Sequence, residues 1–157
     1  MENTCYYTFE SFKLSLTEKD GAITRLSFVG EKEVLENENR DSPLLRGAVT
    51  QLEQYFSGRR KEFFLPLNPL GTEFMVKVWE ALQSIPYGET RSYKQIAIQV
   101  GHDKAYRAVG LANNRNPISI IIPCHRVIGY DGRLVGFGGG LPLKEKLLQL
   151  EQKYYSP

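Results

Sequence analysis

A cysteine and a histidine stand side by side as Cys124 and His125, and Arg126 follows them. A thiol attacks as its thiolate, and a neighbouring imidazole or guanidinium lowers the pKa of a cysteine by stabilising that anion. An isolated cysteine is more often a small buried hydrophobe. The two polar neighbours argue against that interpretation here, so the pattern predicts a nucleophile at Cys124.

The apolar run Ile118–Ile122 precedes this group and is broken only by Ser119. Such a run predicts a buried strand, and Pro123 should end it because proline cannot extend a ladder of hydrogen bonds. Cys124 is therefore expected at the end of a strand.

The composition is that of an ordinary globular protein, with 157 residues, 41% of them hydrophobic and 24% charged. No apolar run approaches the roughly 20 residues that a membrane helix needs. The N-terminus has neither a signal nor a transit pattern, which predicts a reducing, intracellular location. We expect no membrane association.

Cysteine and histidine are scarce, with Cys5, Cys124, His102 and His125 as their only representatives. The two cysteines are far apart in sequence, which makes a structural disulfide unexpected, and no zinc-like spacing exists. We expect no metal. The net charge is only +2, but basic side chains in the second half favour an anionic ligand there, namely Lys104, Arg107, Arg115, Arg126 and Arg133.

The first third reads as a small scaffold domain over residues 1–65. Alternating runs at 12–16 and 23–29 flank Asp20-Gly21 and predict an antiparallel hairpin. Ser42 is a candidate N-cap for a helix that starts at Pro43 and ends before Gly58. Residues 63–65 are expected to add one strand, and residues 66–71, with two prolines and a glycine, form the expected linker.

The second domain, expected over residues 72–157, begins with a helix capped by Thr72. Ser92 and Gln95 form a capping box for a further helix that Gly101 should end. Asp103 is expected to cap the next helix, which runs to Asn113 and Asn114 after a connection of about three residues. These two helices are a candidate helix-turn-helix, although most such pairs are only packing units.

The glycine-rich segment at 136–140 lacks the spacing of a dinucleotide fingerprint and does not open a helix directly, so we expect no nucleotide cofactor. A last helix is expected from Pro142, with Leu143, Leu147 and Leu150 on its inner face and Glu151 near its far end. Residues 154–157 are expected to form a frayed tail.

The ordered motifs from residue 71 to residue 151 closely resemble the O6-alkylguanine-DNA alkyltransferases, also called methylated-DNA-protein-cysteine methyltransferases. The matching text is Ile-Pro-Tyr-Gly-Glu at 85–89, Ser-Tyr at 92–93, Arg-Ala-Val-Gly at 107–110, Asn-Pro at 116–117, Ile-Pro-Cys-His-Arg-Val-Ile at 122–128, the glycine-rich segment through Leu141, Lys-Glu at 144–145 and Glu151. The resemblance implies an α+β fold, with a small ribonuclease-H-like N-terminal α/β domain and a mostly helical C-terminal domain.

The resemblance implies a single-turnover, self-inactivating DNA repair reaction without a cofactor. One alkyl group would move irreversibly from O6 of guanine in DNA to Cys124. By the same resemblance His125 would be the base, through a water, and Glu151 would orient the imidazole. Tyr93 would hydrogen-bond the guanine and offset the charge that develops on it. The sequence leaves open the preferred alkyl group and whether O4-alkylthymine is also repaired.

A base inside a duplex must be flipped out before it reaches a pocket. By resemblance the second helix of the pair enters the minor groove and Arg107 replaces the extruded base. The residues expected to contact DNA are Arg107, Ala105, Tyr106, Ala108, Gly110 and Arg126. The expected substrate pocket consists of Asn116, Val127, Phe137, Gly138 and Lys144. Tyr106 and Phe137 depart from the family, which usually has a small residue and often a tyrosine at these positions.

The partner implied is double-stranded DNA that carries O6-alkylguanine, bound by a monomer. The expected location is cytoplasmic, on the nucleoid when DNA is bound, or nuclear in a eukaryote. A non-enzymatic lesion binder is one alternative, but such relatives replace the cysteine, which this chain keeps. A cysteine hydrolase or redox sensor is another, but it explains neither the helix pair nor Arg107, and adjacent Cys and His seldom give a hydrolase geometry.

Overall fold

The computed structural model describes residues 2–30, 32–33, 39–137 and 139–156. The chain divides into two units, Met1–Leu70 and Gly71–Pro157. Both contain helices and short antiparallel or parallel strand pairs, so the expected α+β class is confirmed. Within the described ranges no helix is long and apolar enough to cross a membrane.

The first unit contains a three-stranded antiparallel sheet with a helix packed on it. Its strands are β1 (Glu2–Phe9), β2 (Phe12–Lys19) and β3 (Ala22–Phe28), in that order, and its helix α1 is Pro43–Phe56. The hairpin at 20–21 and the Ser42 cap, which accepts from Leu45 N, are confirmed. The Phe56 ring stacks on Phe12 at 4.6 Å, so the helix packs its apolar stripe on the sheet.

The strand expected at 63–65 is wrong. Those residues have no ladder, and the chain instead meets β3 farther on, through a parallel bridge between Ile23 and Leu67. Ile23 N donates to Pro66 O at 2.8 Å, and its carbonyl accepts from Asn68 N at 2.8 Å. Two prolines in this stretch remove donors, which limits the pairing to one bridge.

The second unit is mostly helical. Its elements are α2 (Glu73–Gln83), β4 (Arg91–Ser92), α3 (Tyr93–Gln99), α4 (Tyr106–Asn114), a 3₁₀ turn (Cys124–Arg126), β5 (Val127–Ile128) and α5 (Leu141–Lys153). β4 and β5 pair in parallel. Buried Trp79 of α2 donates its indole N–H to Ala112 O at 2.9 Å, which ties α2 to α4. This core holds α4 and the 3₁₀ turn in fixed positions.

The helix starts predicted from caps at Thr72 and Ser92 are confirmed, including the Ser92–Gln95 capping box. The cap predicted at Asp103 is wrong, because α4 starts at Tyr106 and its N-cap, Ala105, has no side-chain bond. Ala105 N donates to His102 O, so the chain makes one more turn before the helix begins. The helices α3 and α4 do pack together, but residues 100–105 join them, a longer connection than expected.

The strand predicted at 118–122 is also wrong, although the segment is buried as expected. Ile120 has φ +72°, and Ile122 N donates to Ile118 O at 3.0 Å. The Asn116 side chain accepts from Ile118 N at 3.0 Å and donates to Ile122 O at 2.8 Å. These side-chain bonds replace a ladder and fold the segment into turns.

The inner face of α5 differs from the expectation. Lys144, Leu147 and Glu151 are buried, whereas Leu143 and Leu150 are only half-buried. The expectation of a frayed tail is wrong for Tyr155, whose ring covers Gly88; a Cβ added to Gly88 would lie 2.0 Å from that ring. Gly88 also has φ +79°, so this close approach requires glycine.

Candidate active site

Cys124 begins the 3₁₀ turn and is only 4% exposed. Its amide donates to Ile122 O at 2.8 Å, and its carbonyl accepts from Asn113 Nδ2 of α4 at 3.3 Å. The main chain on both sides of the sulfur is therefore anchored. Sequence reasoning missed Asn113, because nothing in its position near a helix end predicted that its amide would turn inward.

Burial raises the pKa of the Cys124 thiol, since a thiolate loses hydration inside the protein. A hydrogen bond from Asn116, the charge of Lys144 and two backbone amides oppose that effect without outweighing it. The free protein consequently holds a neutral thiol, and attack requires a base that removes its proton.

His125 follows in the same turn and is completely buried. Its Nε2 lies 2.6 Å from Glu151 Oε2, and its Nδ1 has no hydrogen-bond partner among the described residues. An ionised carboxylate accepts only, so Nε2 carries the proton and Nδ1 offers its lone pair. Burial lowers the pKa of His125 although Glu151 opposes this, and the imidazole is neutral.

Glu151 reaches the site from α5, two turns beyond Lys144, and besides the His125 imidazole it accepts from Arg126 and from the main chain. Arg126 Nε donates to Oε1 at 2.8 Å, Arg126 Nη2 donates to Oε2 at 3.1 Å, and Gly88 N donates to Oε1 at 3.1 Å. Burial alone would raise the pKa of Glu151, but hydrogen bonds from His125 and Arg126 and the charge of Arg126 hold it well below its usual range. The carboxylate therefore stays ionised.

Arg126 was expected to contact DNA, but the structure places its side chain inside the protein. Its side chain is buried, and besides Glu151 it donates through Nη1 to Ile85 O at 2.7 Å. Two oxygens of one carboxylate and a backbone carbonyl thus satisfy the guanidinium inside the protein. The sequence could not show this, because Arg126 and Glu151 are 25 positions apart.

Lys144 points its ammonium at a cluster of main-chain carbonyls. Nζ donates to Val127 O at 2.6 Å, Val135 O at 2.9 Å and Gly136 O at 3.3 Å. Burial lowers its pKa to about 8, and Cys124 acts in the opposite direction. Lys144 therefore holds the segment before the glycine-rich stretch against β5.

Tyr93 lies at the start of α3, within 5.9 Å of the Lys144 ammonium measured to the ring centroid. Its hydroxyl donates to Val135 O at 2.7 Å. Burial, with a smaller contribution from Cys124, raises the pKa of Tyr93 to about 12, so the phenol stays protonated. In this structure the Tyr93 hydroxyl is therefore hydrogen-bonded to the main chain.

The other residues expected to line the substrate pocket differ in where the structure places them. Asn116 clamps the turns before Cys124, as described above, and Val127 is buried with its carbonyl on Lys144. Phe137 is half-buried. Gly138 lies outside the described residues. No group of three or more His, Cys, Asp or Glu that could hold a metal occurs in the parts of the chain that the structure covers.

The exposed start of α4 presents the remaining residues that were expected on DNA. Tyr106, Arg107 and Ala108 are exposed, and Ala105 is half-buried. The Arg107 guanidinium carbon lies 5.9 Å from the centroid of the Tyr106 ring. Gly110 is half-buried, and a Cβ there would lie 3.8 Å from Tyr93, so α4 passes close to that ring.

Comparisons with known proteins cover both units. The family model described as "6-O-methylguanine DNA methyltransferase, DNA binding domain" matches residues 73–153, and the model of the ribonuclease-like domain of the same family matches residues 5–69. The second match agrees with the ribonuclease-H-like character expected for the N-terminal domain.

Individual relatives have the same family name. A methylated-DNA–protein-cysteine methyltransferase of Mycolicibacterium paratuberculosis is 50% identical over 90% of this chain and 87% of its own. One from Methanosarcina barkeri is 64% identical over 68% of each chain. Among solved structures, Mycobacterium tuberculosis OGT in complex with DNA has a TM-score of 0.84 at 45% identity, covering 96% of this chain and 93% of that one.

Proposed function

Because the chain belongs to the 6-O-methylguanine DNA methyltransferase family, we propose that it repairs DNA by moving one alkyl group from O6 of guanine to the Cys124 sulfur. The observation that carries this proposal is the arrangement around the thiol. A buried cysteine precedes a neutral histidine whose Nδ1 is unpartnered among the described residues and whose Nε2 lies 2.6 Å from an ionised carboxylate. That is the order of nucleophile, base and orienting group that activation of a thiol requires.

The first step is removal of the thiol proton. His125 accepts it at Nδ1, through a water, because that nitrogen has a lone pair and Nε2 is held by Glu151. The imidazolium that forms is stabilised by the Glu151 carboxylate. Arg126 keeps that carboxylate ionised and fixed in place.

The second step is displacement at the alkyl carbon. The sulfur–carbon bond forms as the carbon–O6 bond breaks, and the electron pair of that bond stays with guanine. The proton taken from Cys124 finally resides on guanine N1, so atoms and charge balance. Tyr93, a protonated phenol, donates to the developing charge once its hydroxyl leaves Val135 O. The product is a thioether that hydrolysis does not reverse, so each molecule acts once.

The base must reach the sulfur from a duplex. Flipping a nucleotide costs a few kcal/mol because stacking and pairing are lost. Arg107, exposed on the first turn of α4, supplies a planar cation that fills the space left in the stack. Ala108 beside it is small, which permits close approach of the helix to the minor groove.

The test mixes the protein with a duplex that carries one O6-methylguanine and measures the intact mass and the peptides. We expect one methyl group on Cys124, one guanine restored per protein molecule and no turnover. Cys124→Ser should bind the duplex without transfer, and Cys5→Ser, in the first unit, serves as the matched thiol control. Lesion-selective binding with an unmodified Cys124 would reject transfer in favour of a pure lesion binder.

The same assay with O4-methylthymine decides whether thymine is a second substrate.

We also propose that the protein works in a reducing compartment that contains DNA, the cytoplasm with its nucleoid or a nucleus, because both Cys5 and Cys124 are free thiols. Fluorescence microscopy of a tagged chain, with a DNA stain, checks this location; signal away from DNA after alkylation damage would reject it.

A further inference from the structure

A cleft of about 430 Å³ opens beside the start of α4. It is lined by Tyr93, Lys94, Tyr106, Gly129 and Tyr130. Tyr106 is 48% exposed and Tyr130 is 91% exposed, so their rings are accessible from solvent. Among the described residues, Tyr93 lines this cleft and Cys124 does not.

The chemistry of the cleft fits a nucleobase. Aromatic side chains bind unpaired bases by stacking, because every base has a planar π-face, and a neighbouring cation binds the phosphate. Here tyrosine rings line the cleft, exposed Lys94 is at its edge, and Arg107 stands next to Tyr106. All of these residues lie in the part of the chain that matches the family's DNA-binding domain.

We propose that this cleft is a second base-binding site, which takes an unpaired nucleobase of the DNA, stacked on Tyr106 and Tyr130, while the alkylated guanine occupies the site at Cys124. Extrusion of the lesion leaves its partner base without a pair and weakens the stacking of the neighbouring base. A binding site for either base makes the flipped state more favourable. Lys94 contacts the phosphate next to the base that is bound.

This assignment gives a role to Tyr106, which is large where close approach to a groove favours small side chains. The Arg107 guanidinium lies 5.9 Å from the Tyr106 ring. The two adjacent side chains then have different roles: Arg107 fills the space in the base stack of the duplex, and Tyr106 stacks on the unpaired base in the cleft. The assignment rests on the proposed function, because it presumes that α4 binds DNA at a flipped nucleotide.

The first test uses the Cys124→Ser background, in which the duplex is bound but not repaired. 2-Aminopurine, whose emission falls when it stacks, is placed either opposite the O6-methylguanine or on its 3′ side. We expect Tyr106→Ala to raise the emission of the bound complex at one of these positions and to weaken binding about tenfold. Tyr106→Phe keeps the ring and should restore both values, and Tyr130→Ala should resemble Tyr106→Ala.

The second test compares transfer from the duplex with transfer from free O6-benzylguanine, in the otherwise unchanged protein. Tyr106→Ala should lower the ratio of the two rates about tenfold, because only the duplex provides an unpaired base. The proposal would be overturned if Tyr106→Ala left the 2-aminopurine emission unchanged at both label positions. It would also be overturned if Tyr106→Ala left the ratio of the two transfer rates unchanged. A wild-type thiol that is inert to both substrates would reject the proposed function, whereas the emission measured with Cys124→Ser would still decide about the cleft.

Discussion

Glu151 Oε2 lies 2.6 Å from His125 Nε2, and both side chains are shielded almost completely from water. The same carboxylate binds Arg126 through both of its oxygens. One buried anion therefore fixes the tautomer of the base and neutralises the neighbouring guanidinium. Removing its charge should affect catalysis and stability together.

We expect Glu151→Gln to slow transfer to Cys124 roughly 10- to 100-fold, because an amide stabilises the imidazolium less well than a carboxylate. It should also lower the free energy of unfolding by about 3 kcal/mol, since Arg126 stays buried without its counter-charge. Single-turnover kinetics and urea unfolding measure the two effects. Glu145→Gln, an exposed change on the same helix, is the control, and an equal effect of both variants would contradict this account.

Acid should destabilise the protein below about pH 6.5. The folded-state pKa of His125 lies below the ordinary value of 6.5, so the unfolded chain takes up more protons as the pH falls through that range. A single such group changes the free energy of unfolding by at most about 1.4 kcal/mol per pH unit. The pKa of Glu151 is lowered in the folded protein, so this carboxylate adds a further loss of stability when the pH falls below its ordinary pKa of 4.5.

Thermal melts between pH 8 and pH 4 measure this dependence. His125→Asn should flatten the curve between pH 7 and pH 5, and the same change at His102, an exposed residue between α3 and α4, is the matched control. A steep slope that persists in His125→Asn would assign the titration to another group.

Arg107→Ala should slow repair of duplex DNA roughly 10- to 100-fold more than reaction with free O6-benzylguanine, because only the duplex requires flipping. The ratio of the two single-turnover rates is the readout. Arg115→Ala is the matched control, since Arg115 is also an exposed cation, at the other end of α4. Equal loss on both substrates would refute the role of Arg107 in the base stack.

Tyr93→Phe should slow transfer from both substrates by about 10- to 100-fold, because the lost hydroxyl acts on guanine itself and not on the duplex. This pattern separates Tyr93 from Arg107 in the same assay. Binding of the duplex by the Cys124→Ser form should change little when Tyr93 is also Phe, since the ring is kept. A rate that falls only with the duplex would place Tyr93 in DNA binding.

Local signals in the sequence predicted local structure well. Ser42, Thr72 and Ser92 cap helices as expected, because a cap depends on bonds within three residues. The same reasoning failed at Asp103, where a turn closed by main-chain atoms of His102 and Ala105 comes before the helix. A capping side chain competes with such turns, and the sequence does not show which one forms.

Long-range pairs could not be predicted in this way. The run at 118–122 has the composition of a strand, but Asn116 folds it into turns and Ile120 adopts a left-handed conformation. Arg126 resembles a surface cation until Glu151 is placed beside it. The family resemblance predicted that Cys124, His125 and Glu151 act together, and the atoms that join His125 to Glu151 became visible only in the fold.

Lys144 and Glu151, seven positions apart on α5, are both supplied after Cys124 and His125 in the order of synthesis. Until α5 docks, the histidine lacks its carboxylate and the segment at 127–136 lacks the ammonium that gathers its carbonyls. A nascent chain that already contains the Cys-His pair therefore lacks the oriented base that removes the thiol proton. The reactive centre is therefore complete only after α5 has been synthesised and has docked.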